Sequence, residues 1–95
     1  MTWEYSSAVQ VVAVPTIGDA DTGEVATNVA TSSSPFAPAV GDAVIAIPLE
    51  ALPTDCSLTG AWVSAANVVT TAYSAQDGAV TGANVNFRFK FFDVS

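Results

Sequence analysis

"NVNFRFKFFDVS", residues 84–95, alternates Val85, Phe87, Phe89 and Phe91 with Asn86, Arg88 and Lys90. A period of two puts one residue class on each face of a β-strand, so the stretch reads as a half-buried strand. Its aromatic face packs into a core. Its other face carries Arg88 and Lys90, the only basic side chains in a chain with nine carboxylates. What those two cations meet is the functional question this strand raises.

Working back from it, "QDGAVTGA" (76–83) is the turn into the strand, with Asp77-Gly78 as a hairpin-type signal. "SLTGAWVSA" (57–65) and "NVVTTAYSA" (67–75) read as two strands joined at Ala66-Asn67. "AVIAIPL" (43–49) is apolar on both faces, the pattern of a central strand or of one covered by a neighbour. "EALPTDC" (50–56) is a connection. "TSSSPFAPAVGD" (31–42) reads as a loop anchored by Phe36, because its prolines and serine run deny it regular structure. "EVATNVA" (24–30) gives a further strand, "IGDADTG" (17–23) a turn, and "AVQVVAV" (8–14) a strand ended by Pro15.

Composition agrees with this reading. Fourteen Val and ten Thr stand against three Leu, which favours pleated structure over helix. Short strands with regular turn signals predict an all-β chain, a single antiparallel β-sandwich or barrel of about six to eight strands. The domain is expected over residues 8–95, preceded by an N-terminal arm at 1–7 that carries Trp3 and Tyr5. Two large aromatics in a place where chains usually fray point to an arm that docks, on its own domain or on a neighbour. Trp62 and Tyr73 lie inside apolar strands and are expected in the core.

Charge narrows the function. Only 12% of the residues are charged, about half the usual share of roughly 25%. So sparse a charged surface protects a β-domain poorly against association, which favours a surface partly covered by copies of itself or by a larger assembly. A net charge of −7 with two cations cannot build a footprint on nucleic acid phosphates. The apolar run at 8–14 is too short to span a bilayer, and the N-terminus lacks the basic flank of a secretory signal. The expectation is a protein made in the cytoplasm, with no membrane partner.

No enzyme is expected. The chain has no histidine, so Cys56 has no imidazole to activate it and reads as a structural thiol. The acids at 19, 21, 42, 55 and 77 sit in turn-like segments, where Asp is an ordinary turn former. "DADTGE" (19–24) opens like a calcium loop, but the twelfth position holds Ala30 where a bidentate Glu is needed. A solvated turn is the better account, and no metal or cofactor is expected. Arg88 and Lys90 have two compatible explanations: contact with an acidic neighbour, or gatekeeping of an aromatic strand against aggregation.

The second half of the chain also resembles a pattern found in small structural proteins of tailed bacteriophages. The matching pieces are Val40-Gly41-Asp42 before an apolar strand, Leu52-Pro53, the junction from Val63 to Asn67, and Gly78-Ala79-Val80. They span roughly residues 40 to 92, and the chain departs from the pattern at Ser74-Ala75, where Asn is common. The resemblance implies a β-sandwich virion protein of the head decoration (cement) type, resident on the capsid surface. Its partners would be the major capsid protein and copies of itself, a homotrimer by analogy. Trp3, Tyr5, Arg88 and Lys90 are the candidate contact residues. The alternative is a tail- or fibre-associated β-module that recognises host glycans.

Overall fold

The computed structural model describes residues 3–7, 9–29 and 38–93. Within them the chain forms seven strands: β1 (Trp3–Ser6), β2 (Gln10–Val14), β3 (Thr22–Asn28), β4 (Ala43–Pro48), β5 (Cys56–Ala65), β6 (Val68–Ala75) and β7 (Ala83–Asp93). They build two antiparallel sheets packed into a β-sandwich, as the alternation and turn spacing predict. The larger sheet has four strands with β7 at its centre, and the smaller has the order β3-β6-β5. β2 lies beside β3 and β4 beside β5, so each open seam of the sandwich is flanked by a strand from both sheets.

β7 organises the larger sheet because its eleven residues are long enough for three partners. On one side β4 runs along its C-terminal part, from Ala43 opposite Phe92 to Pro48 opposite Phe87. On the other side the ladder is shared. β2 covers the N-terminal part, from Val14 opposite Ala83 to Gln10 opposite Phe87, and β1 covers Lys90 to Asp93.

Ser7 closes the gap between β1 and β2. Its N–H donates to the Phe89 carbonyl at 2.9 Å, and its Oγ accepts the Phe89 N–H at 3.0 Å. A buried backbone donor must find a partner somewhere, and here a side chain supplies it. Beyond Pro48, in a solvent-exposed position, Glu50 Oε2 accepts the Asn86 N–H at 2.7 Å.

The segment 1–7, set apart from the domain by its sequence position, therefore holds a strand of the larger sheet. Trp3 stands opposite Asp93 and Tyr5 opposite Phe91 in the ladder. Trp-Glu-Tyr is good pleated-sheet material, and the open edge of β7 gives it somewhere to pair. Of the two docking sites the arm left open, its backbone takes the parent domain. The side chains of Trp3 and Tyr5, and Phe36, the anchor expected for the loop at 31–42, lie outside what the structure describes.

The core forms where β6 faces β7. Val85, Phe87, Phe89 and Phe91 from β7 meet Val69, Thr71, Tyr73 and Ala75 from β6, with Val12 and Val14 from β2 and Val63 from β5. Phe87 and Phe89 stack with ring centroids 5.9 Å apart, and Phe91 continues the row at 6.3 Å. Each fully buried Phe contributes about 2–3 kcal/mol by removal from water, so this face holds the sandwich shut. Where β2 leaves the core, Gly82 lets two backbones touch. A side chain there would bring its Cβ to 2.6 Å from the Val14 carbonyl oxygen.

The remaining turns follow their residues. Ala66-Asn67 joins β5 to β6 with Asn67 at φ 62, a conformation Asn tolerates better than most side chains. The "DADTGE" segment begins in a turn in which Asp21 N–H donates to the Gly18 carbonyl and Asp21 Oδ1 accepts the Thr22 N–H.

Candidate functional site: the outer face of the four-stranded sheet

The outer face of the larger sheet is built by alternation on three strands. On β7 it takes Asn84, Asn86, Arg88, Lys90 and Phe92, because their neighbours are committed to the core. On β4 it takes Ala43, Ile45 and Ile47, while Val44 and Ala46 pack inward. The register sets Ile45 directly opposite Lys90, Ile47 opposite Arg88, and Val11 of β2 opposite Asn86. Arg88 is exposed and Lys90 half-buried, on the side predicted for them.

Exposed apolar side chains gather on and beside the β2 and β4 parts of this face. Ile45 is 51% exposed and Val11 57%, and Val9, Ile47 and Leu49 are each at least 40% exposed. Those five make up most of the large hydrophobic side chains that the described residues leave in solvent. This corrects the expectation of a central or covered strand at 43–49: among the described residues β4 is an edge strand that pairs with β7 alone. Its inner face, Val44 and Ala46, is half-buried against the core, and its outer face is open to solvent. Scattered exposed apolar residues need no explanation, whereas several on one sheet face are the feature a functional reading has to account for.

The smaller sheet corrects one expectation. Tyr73 is fully buried, as predicted, and its hydroxyl donates to Thr71 Oγ1 at 2.8 Å. Trp62, expected in the core, is 43% exposed on the outer face. A bulge between Leu58 and Gly60 is the cause: it inserts one residue into β5 and reverses the faces beyond it. Cys56 and Leu58 pack inward before the bulge, Ala61 and Val63 after it, and Trp62 turns outward opposite Thr70. Gly60 inside an apolar run was the available signal for that bulge. Next to the indole, Thr70 Oγ1 donates to Ser64 Oγ at 2.7 Å.

The other candidates are simply placed. Cys56 is half-buried at the start of β5, and burial pushes its thiol up from the ordinary value. Asp19, Asp21, Asp55 and Asp77 are all exposed at one end of the sandwich. The described residues contain no group of three acids, cysteines or histidines placed to hold a metal ion. They also contain no helix long and apolar enough to cross a membrane.

No family model matches the chain, and neither a curated protein nor a solved structure matches it significantly.

Proposed function

We propose that the chain is a structural virion protein, a capsid decoration protein that binds the phage head shell through the outer face of its four-stranded sheet. The observation that carries this reading is β4, a strand apolar on both faces of which the domain covers one. Ile45, Ile47, Val9, Val11 and Leu49 supply apolar surface whose burial drives association. Arg88 and Lys90, set among them, orient the contact toward an acidic partner surface. The major capsid protein is that partner, and the mechanism is adhesive, with no bond made or broken.

A second reading, a tail- or fibre-associated module for host glycans, is favoured by Trp62. A half-exposed indole on a sheet face, beside the hydroxyls of Ser64 and Thr70, is a surface on which a sugar ring can stack.

Co-sedimentation with phage heads assembled without this protein tests the first reading. The wild type is expected to pellet with the heads, and Ile45→Asp with Ile47→Asp to lower the affinity by about tenfold or more. Unchanged pelleting of that variant overturns the assignment of the face. Glycan-array binding that Trp62→Ala abolishes, with no binding to heads, establishes the second reading instead.

A further inference from the structure

Asp77-Gly78 is the one place in the chain where Asp or Asn precedes Gly. It lies in the connection from β6 to β7, the two strands whose inner faces form the core. Both sides of that connection are fastened. Gln76 N–H donates to the Asp55 carbonyl at 2.7 Å, and Ile17 and Val80 exchange two backbone bonds of 2.8 and 3.0 Å. Between these anchors Asp77 is exposed. Gly78 N–H donates inside the turn, to the Gln76 carbonyl, rather than to a sheet ladder.

The fold favours both residue types. Asp77 has φ 28, on the left-handed side that Asn, Asp and Gly enter most readily. At position 78 a Cβ would lie 2.9 Å from Asp55 Oδ2, so glycine is the residue that leaves the Asp55 carboxylate in place. The pairing has a chemical consequence. A peptide nitrogen that follows Asp can reach that residue's carboxyl carbon through a five-membered ring, and such an intramolecular approach is favoured by proximity. A side chain on the following residue hinders it. Every other Asp and Asn in the chain precedes a residue with a side chain: Ala, Val, Thr, Cys or Phe.

We infer that Asp77-Gly78 is a self-modification site, at which the folded protein converts aspartate to isoaspartate through a cyclic imide. With the carboxyl group protonated, the Gly78 nitrogen attacks Asp77 Cγ. The N–Cγ bond forms, the Cγ–OH bond breaks, and that hydroxyl leaves with the nitrogen's hydrogen as one water. A second water then opens the ring. Addition at Cγ restores aspartate. Addition at the Asp77 backbone carbonyl carbon leaves the main chain running through Cγ, with the former backbone carbonyl as a free carboxylate. Nothing is oxidised or reduced, and the net charge stays at −7. The product has one more carbon in the main chain between β6 and β7, and the anchors at Gln76 and Val80 confine the change to the turn. The reaction uses neither outer face of the sandwich, so it is independent of the proposed binding role.

The full chain, incubated for weeks near neutral pH in water enriched in heavy oxygen, tests this. Each ring opening places one heavy oxygen at residue 77, which peptide mass spectrometry locates. Isoaspartate also makes the bond before residue 77 resistant to endoproteinase Asp-N. Label and resistance are expected to grow together at Asp77, while the other aspartates stay unlabelled. Asp77→Glu keeps the charge but needs a larger ring, and should lose the label. Asp77→Asn expels ammonia instead of water, and should reach the same product faster. A synthetic peptide of residues 74–82 gives the rate without the fold, and the folded chain should react within about tenfold of it. Absence of label at Asp77, equal label at the other aspartates, or a folded chain slower than that range overturns the inference.

Discussion

Tyr73 and Thr71 form a buried polar pair in an otherwise apolar core, joined by one hydrogen bond of 2.8 Å. No buried side-chain oxygen or nitrogen among the described residues lacks a partner, so each of these hydroxyls depends on the other. Tyr73→Phe keeps the ring and strands the Thr71 hydroxyl, which costs about 1–2 kcal/mol in denaturant melts. The same hydroxyl links stability to alkaline pH. Desolvation by burial raises the Tyr73 pKa above 10.0; the Thr71 hydrogen bond lowers it and the nearby Cys56 raises it, by less. The folded state thus holds its proton where the unfolded chain has released it. The resulting stability is complete below pH 10 and falls as pH rises through the folded pKa. Melts of the wild type from pH 8 to 12 should show that fall, and Tyr73→Phe should flatten it. An identical slope in both proteins would assign the alkaline loss to other groups.

Among the elements, the junction of β1 and β2 shows how a short strand is held in place. β1 has four residues, and Ser7 carries the ladder past the gap by accepting the Phe89 N–H. Ser7→Ala leaves that buried N–H without its acceptor, an expected loss of about 1–3 kcal/mol. Amide exchange should quicken most at Phe89 and along β1, and uniform protection would show that the hydroxyl does not pin the strand. Six of the strands were legible in the sequence because turn residues bound each and most alternate. β1 was not, since four residues at a chain end give periodicity too little to act on. The outward placement of Trp62 was not legible either. Alternation fixes faces only while the register is unbroken, and one inserted residue at the bulge reverses them. The candidate face shows the opposite case. The positions of Arg88 and Lys90 followed from alternation alone, while their apolar surroundings required knowing that β4 pairs beside them. The double-sided apolar pattern of β4 announced a neighbour, but no local pattern states whether that neighbour belongs to the same chain.

For the whole molecule, net charge and exposed apolar surface oppose each other. At pH 7 a charge of −7 opposes the approach of copies, against the exposed apolar surface of Ile45, Ile47 and Val11. Lowering the pH toward 4.1, the isoelectric point, removes that repulsion. What survives is undirected attraction between apolar faces, which is indifferent to carboxylate protonation. Turbidity of the purified protein should therefore peak near pH 4, close to the isoelectric point. Ile45→Ser with Ile47→Ser changes no charge and leaves the isoelectric point in place. It should lower the turbidity peak without moving it along the pH axis. A peak of unchanged height would show that copies associate elsewhere, and the outer face of the four-stranded sheet would lose its claim to be the adhesive surface.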